Sequence, residues 1–497
     1  MATVIRATHV PVIKLPARPS LAPEEIAQIK QHIANLALID RPDMGLASNY
    51  SGTAFAPIPQ ASSVGTMIIG SARPKTTGDF LELVKLGPKA LPFLLEALDD
   101  QTPTKLVLGQ PIGSHPREIF GGMFRRNEIR GNPANAAEQT AIGPKLSHAS
   151  GDFDLGVSVK DQRHIVTVGD VCFVIIGQIT NRSSYRASRY QPTAISIINS
   201  PTDDPELVKQ IRAIWSAAEP EQHLLDSLLL DFSITVKLPE NASRELRQQA
   251  FGVAWQLPIG ATMRLLYYFP NETGDLIAQR IAEKTENKYL LEAVVWSKHP
   301  AVRSQVTKIF RETTAPSVLL TCLSAMDEKD NDLVLQRILG LIDALKLPPD
   351  IAGKEPFGPY DEGYELVLAA GKRFGAASKP VYTRFIEQPT LNRRVALCSA
   401  IQARPEWALE FLVPLLDDTR EELMWYQVVE GNDQNRLAIR VCDHAARAIN
   451  LSRLDLPFVL HGTHADLDRQ IAAMKLLIAK TAPSQPADPA QSNLPGS

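Results

Sequence analysis

Apolar residues recur every three or four positions through most of this chain, the period of a helix with one buried face. Ile26, Ile29, Ile33 and Leu36 fall on one side of a segment that Pro23, Glu24 and Glu25 open. Those three suit a first turn, because proline lacks only an orphan N–H and acids favour the positive dipole end. Residues 79–100, DFLELVKLGPKALPFLLEALDD, hold two stripes. Phe80, Leu83, Val84 and Leu86 form the first, and Leu91, Leu94, Leu95 and Leu98 the second. Gly87 is placed to end one helix in a left-handed conformation and Pro88 to open the next. Such a hairpin needs a neighbour to cover its apolar face. From 241 to 481 the period returns in short segments: SRELRQQAFGVAWQL, TGDLIAQRIAEK, KYLLEAVVWSK, PAVRSQVTKIFRET, PSVLLTCLSAM and NDLVLQRILGLIDALK, then KPVYTRFIEQ, LNRRVALCSAI, EWALEFLVPLLDD and RLAIRVCDHAARAI. Pro270, Pro300, Pro316, Pro348 and Pro349 separate them, as helix-breaking residues should.

Three stretches depart from this period. Residues 1–20 read as an extended, proline-punctuated lead, and 40–77, rich in Gly, Pro, Ser and Thr, as a long loop or partner-covering arm. Residues 105–240 form a central module with β-branched runs. There HIVTVGDVCFVIIGQI reads as two strands around a Gly169-Asp170 turn, TAISIIN and FSITVKL as further strands, and Asp203 to Glu206 as the start of a helix running to about Trp215. The tail 482–497 is polar and proline-rich, the composition of a disordered segment. The expected organisation is therefore a lead (1–20), an N-terminal helix, loop and hairpin (21–104), the central β-containing module (105–240), a helical array (241–481) and the tail.

Composition narrows the function classes. The 497 residues are 44% apolar, enough for a large core, and 52 basic against 55 acidic residues give a net charge of −3. That balance argues against wholesale coating of nucleic acid or anionic membrane. No run of about 18 apolar residues occurs, so no membrane insertion is expected and the default location is cytoplasmic. Cys172, Cys322, Cys398 and Cys442 are far apart and read as buried hydrophobes.

The common catalytic motifs are missing: GxxxxGK[ST], GxGxxG after a strand, HExxH and GxSxG. His461, His464 and Asp466 hold metal-type donors, but Thr463 as a helix cap with Asp466 and Asp468 in the first turn explains the same residues. Cys442-Asp443-His444 would point in different directions on a helix, which leaves Cys442 to the core and the other two to the surface. Gly113-Ser114-His115 reads as a turn before Pro116. No cofactor, metal ligand or catalytic residue is assigned. The arginines of 105–200 carry more: 11 Lys/Arg against 7 Asp/Glu make this region +4. Arg117, Arg125, Arg126 and Arg130 lie among Phe120 and Phe124. Arg182, Arg186 and Arg189 interleave with Tyr185 and Tyr190. Guanidinium groups bind carboxylate or phosphate in a fork, and aromatics stack on planar partners. Arg182, Arg186, Arg189, Tyr185 and Tyr190 are the candidate contacts to a partner or anion, set against ordinary solvated arginines or ones paired within the molecule.

LPFLLEALDD at 91–100 is echoed by FLVPLLDD at 411–418, while HPAVRSQV at 299–306 and RLAIRVCDHAARAI at 436–449 share an arginine-led apolar helix. These segments resemble bacterial HEAT-like repeats of the phycobilisome lyase-related type, over about a third of the chain and with irregular spacing. VGDVCFVIIGQITNR and SRYQPT resemble a module that accompanies such repeats in bacterial proteins. The resemblance implies a mainly α fold, an α-solenoid of HEAT-like helical hairpins around the central module, whose role is protein–protein interaction or assembly. Nucleic-acid or anion binding through the central arginines is the alternative drawn from the residues, and a lyase-like enzyme the alternative drawn from the resemblance alone.

Overall fold

A computed structural model of the chain describes residues 5–17, 19–41, 46, 55–58, 78–108, 123–126, 132–138, 164–191, 195–285, 287–345, 362–387, 397–398, 407, 409–430, 433–453 and 455–481. Their fold is mainly helical, and it divides into two compact units, residues 1–309 and 310–497.

In the first unit, α1 (Pro23–Asn35) lies on α2 (Gly78–Leu86), and α3 (Leu91–Glu96) completes the hairpin expected at 79–100. Gly87 has φ +55°, and a side chain there would run into the ring of Tyr268, 2.3 Å away. Glycine thus serves both the turn and the close approach. Leu91, Leu94 and Leu98 are fully buried. The lead is tied into the unit: β1 (Ile5–Ala7) pairs antiparallel with β7 (Ile234–Val236).

Residues 164–180 correct the two-strand expectation. Only β4 (His164–Thr167) is a strand, and it pairs with β2 (Pro103–Leu108). Val168–Thr180 is a helix, α4. Gly169-Asp170 is its first turn, not a hairpin. Thr167 caps the helix, its hydroxyl accepting from Asp170 N at 3.2 Å while the Asp170 carboxylate accepts from Thr167 N at 2.9 Å. This reciprocal pair satisfies two orphan donors and commits the segment to helix. The β-branched run had concealed it: α4 is enclosed on nearly every side, and a helix apolar all round has no 3.6-residue signature. The strands expected from TAISIIN and FSITVKL appear as β6 (Ile195–Ile198) and β7. β6 lies between β3 (Met123–Arg126), parallel, and β5 (Ser188–Gln191), antiparallel.

The helix expected near 205–215 is α5 (Pro205–Trp215), and a further helix, α6 (Pro220–Phe232), follows within the central module. α6 packs on α7 (Arg244–Tyr268), which continues through Pro258 rather than stopping there. α8 (Pro270–Glu283), α9 (Lys288–Glu292) and α10 (Pro300–Glu312) follow.

In the second unit α11 (Pro316–Leu323) and α12 (Asn331–Ala344) pack against α13 (Glu362–Phe374), and α14 (Lys379–Ile386) covers α12. α15 (Leu409–Leu412) runs into a 3₁₀ turn at Val413–Asp417, as α3 runs into one at Ala97–Asp99, a local likeness behind the echo of the two sequences. The helix expected over 436–449 begins later. β9 (Asp433–Arg440) pairs with β8 (Glu421–Glu430) in a hairpin, and α16 (Val441–Ser452) starts where Asp443 turns back onto Arg440. α17 (His464–Thr481) ends the described chain. Most of LNRRVALCSAI and the whole tail 482–497 lie outside the described residues.

Candidate functional site

The arginine–tyrosine segment 182–190 falls at the end of α4, where Asn181 takes a left-handed φ of +63° and turns the chain inward. Arg182 and Tyr185 are each 1% exposed and Arg186 5%. These three side chains are internal struts, with their functional groups taken up by the protein itself. Arg182 forks onto Glu138, Nε to Oε2 at 2.7 Å and Nη2 to Oε1 at 2.5 Å. Its Nη1 donates to Asp231 Oδ2 at 2.6 Å and its Nη2 to Ser227 at 3.0 Å. Trp215 lies against the guanidinium, 5.3 Å away. Tyr185 stacks on Phe173 at 4.9 Å and accepts a hydrogen bond from Trp215 Nε1. Arg186 Nε donates to Ser183 O at 2.6 Å. Arg189 and Tyr190 sit on β5, paired with Ile197 and Ser196 of β6, and their side chains lie outside the described residues. Arg125 and Arg126, on β3, are described in backbone only. Arg117, Phe120, Arg130, Ser114 and His115 lie outside.

The network reaches further. Asn132 donates through Nδ2 to Asp231 Oδ1 at 2.5 Å, and its N–H donates to Glu138. Asn181 Nδ2 donates to Asp231 Oδ2 at 2.7 Å and to Leu257 O. Asn181 Oδ1 accepts from Arg264 Nη1 at 3.2 Å, so one amide bridges a carboxylate and a second guanidinium. Arg264, 3% exposed, also holds Gln178 O and Gly260 O and covers the ring of Phe55 at 4.7 Å. Two arginines and two carboxylates cancel in charge, which makes their common burial tolerable. α7 can approach this closely because Gly260 has no side chain; a Cβ there would lie 2.0 Å from Asn181 Oδ1.

No family model, curated protein or solved structure matches this chain. The geometry alone assigns roles. Burial pushes the Asp231 carboxyl up to about 6, and Glu138 adds to this against the pull of Arg182. Burial works against the charge on Arg182 too, but Asp231 and Glu138 outweigh it and hold the guanidinium above its usual range. Arg264, with no carboxylate in direct contact among the described residues, is lowered to about 10 by burial. Chemically the arrangement is a neutral polar lock. It fixes segment 132–138, the turn after α4, and helices α6 and α7 in one register. Sequence reading missed Glu138, Asp231, Asn181 and Arg264. The available signal was Asp231 alone inside the apolar LLLDF, a carboxylate that demands a partner.

Arginines also join helices end to side. Arg212 of α5 donates to Leu95 O and Glu96 O at the end of α3 and pairs with Asp99. The cleft beside it, about 390 Å³ and lined by Pro92, Leu95, Trp215 and Pro220, therefore meets an arginine whose donors are already engaged. Arg280 of α8 reaches Phe232 O at the end of α6. Arg337 of α12 reaches Phe310 O in the last turn of α10 and Thr313 O just beyond it, and Arg373 of α13 binds Leu323 O at the end of α11 and Met326 O and Asp327 O beyond it. Each satisfies carbonyls that a helix end leaves open.

The remaining motifs resolve locally. Thr463 and Asp466 cap each other at the start of α17, and His464 Nε2 lies 2.8 Å from Ala438 O. Among the described residues no three His, Cys, Asp or Glu side chains converge as a metal site would require. Cys442 is buried and its thiol pushed up to about 11, chiefly by burial. Asp443, expected on the surface, is buried and paired with Arg440 because it caps α16. His164, on β4, contacts Asp170 Oδ2 at 2.7 Å, and Ser200 Oγ donates to Asp170 Oδ1, so that carboxylate anchors β4 and the chain after β6 to the start of α4. No helix among the described residues is long and apolar enough to cross a membrane.

Proposed function

We propose that this protein is a protein–protein interaction or assembly scaffold, with α-solenoid character of the HEAT type within its helical segments. The observation that carries the reading is the repeated arginine-to-carbonyl lock between an earlier and a later helix, at Arg212, Arg280, Arg337 and Arg373. Within each unit, short helices packed on near neighbours and fastened at their ends make a stiff assembly with faces left for partners. The central module contributes rigidity through the Arg182 network. The test is affinity purification of the full chain from its native host after mild cross-linking, with nuclease-treated and high-salt arms. The expected result is a protein enriched in constant ratio to the bait and retained in both arms. Capture that is lost with nuclease and falls steeply with salt would instead assign the chain to nucleic acid. The scaffold reading also fails if no protein is enriched over an untagged control.

A further inference from the structure

Residues 8–17 form no helix or strand of their own, and over 10–16 their exposure alternates. Pro11, Ile13 and Leu15 are half-buried, while Val10, Val12, Lys14 and Pro16 face out, Val12 at 84%. A period of two marks an extended chain with one side turned to the protein. The surface beneath it is α6. Thr8 N donates to Ser233 O just past the C-terminal end of that helix. Gln222, in the first turn of α6, grips the other end of the lead: Leu15 N donates to Gln222 Oε1 and Gln222 Nε2 donates to Ile13 O, each at 2.9 Å. The lead therefore runs back along α6. The helix from Gln222 to Ser233 covers about 16 Å, and an extended chain from Thr8 to Lys14 about 20 Å, within which His9, at φ +53°, makes a bend.

The lead is held as a peptide ligand is held. Main-chain hydrogen bonds fix its register and alternate side chains meet the surface. The Gln222 clamp grips backbone and is indifferent to the residue between its two contacts, Lys14, which is exposed. Asp226 accepts from Gln222 Nε2 at 2.8 Å, which sets the amide with its oxygen toward the Leu15 N–H. No side chain from 6 to 17 is fully buried, whereas Ile5 in β1 is 1% exposed. The lead is thus anchored at β1 and lies shallowly beyond it. Charge complementarity names the occupant. Glu219, Gln222, Asp226 and Leu230 share one face of α6 at helical steps of three and four, and neither acid is in an ion pair among the described residues. Residues 1–22 contain Arg6, Lys14 and Arg18 and no acid. We propose that the Gln222 face of α6 is a docking groove for an extended, basic segment of a protein partner with apolar residues at alternate positions. Residues 8–17 occupy that groove in cis as a tethered pseudo-ligand, and a partner segment binds by displacing them. The proposal rests on the scaffold reading and gives it a partner chemistry.

The probe is a fluorescein-labelled peptide of residues 8–18, THVPVIKLPAR, and the readout is its anisotropy with the purified full chain. Ile13→Asp combined with Leu15→Asp replaces the two inward apolar residues of the tethered lead with charges that Glu219 and Asp226 repel, and leaves β1 in place. Circular dichroism should be unchanged. The peptide should bind this variant at least tenfold more tightly than the parent, because a short tether holds the lead over its groove at an effective concentration on the order of millimolar. Adding Gln222→Ala should weaken that binding about tenfold, and a peptide carrying Lys14→Glu and Arg18→Glu should bind several-fold more weakly. Hydrogen exchange of the parent is a second reading that needs no variant: millimolar peptide should speed exchange of the Leu15 amide and leave Ile5–Ala7 unchanged. A loosened variant that folds yet binds the peptide no better than the parent overturns the proposal. So does binding indifferent to Gln222→Ala, and so does Leu15 exchange unmoved by the peptide. A parent dimer in sedimentation velocity that Gln222→Ala dissolves would give the groove to the lead of a second copy and overturn the choice of a different protein. All of these readings use purified protein, so their failure is separate from failure of the affinity purification that tests the scaffold reading.

Discussion

Arg182→Gln separates an internal strut from a surface contact. In the parent one guanidinium serves two carboxylates, Glu138 and Asp231, each with a side chain 0% exposed. Glutamine keeps a polar group but removes the charge and the fork, leaving two buried acids with amide and hydroxyl donors only. Removing one partner of a buried pair costs about 3–5 kcal/mol, and with two carboxylates stranded the upper end applies. At about 2–4 °C per kcal/mol for a large domain, thermal unfolding of the first unit should fall by about 10–15 °C. The sign with pH is a second check. Asp231 already sits at about 6, above its ordinary value, and loss of Arg182 removes a pull that lowers it. A carboxyl raised in the folded state binds its proton more readily there than in the unfolded chain. Stability then increases as pH falls through that range. The deficit of the variant relative to the parent should therefore shrink between pH 7 and pH 5. Calorimetry of parent and variant at both pH values tests this. Adding Glu138→Gln and Asp231→Asn to Arg182→Met should recover much of the loss, since a neutral network leaves no stranded charge. If Arg182→Gln melts with the parent at pH 7, the network is not the lock described above.

Gly260→Ala places a methyl group 2.0 Å from Asn181 Oδ1, in an amide held by Asp231, Leu257 and Arg264, and should cost about 1–3 kcal/mol, read by chemical denaturation. Arg373→Ala releases the carbonyls of Leu323, Met326 and Asp327 and should lower the melting of the second unit by the equivalent of about 1–3 kcal/mol while leaving the first unit unchanged; limited proteolysis across 310–387 would show which unit loosens. Asp466 is held down to about 2 by hydrogen bonds from the side chain and backbone of Thr463 and from Arg469. Its support of the start of α17 is thus fully present above the unfolded carboxyl range near pH 4 and is lost as pH falls through about 2. Asp466→Asn should show faster amide exchange at 463–467 already at neutral pH and little further change on acidification.

The sequence by itself determined the local features whose causes are local. The hairpin at 79–100 was legible because two apolar stripes flank a glycine and a proline, and Gly87 does adopt the left-handed turn. The cap at Thr463 was legible because its partner is three residues away. Only the tertiary structure decided α4, because a helix buried on every side carries no periodic signal and its β-branched residues suit a strand equally well. It alone decided the fate of Arg182, whose partners lie 44 and 49 residues away in sequence. A guanidinium among tyrosines reads the same whether it faces water or a buried carboxylate. Charge patterning in one dimension cannot distinguish the two, since burial is a property of everything that packs around the group. For the same reason, which apolar residues of α17 remain outside was set by the packing of α16 against one side of that helix.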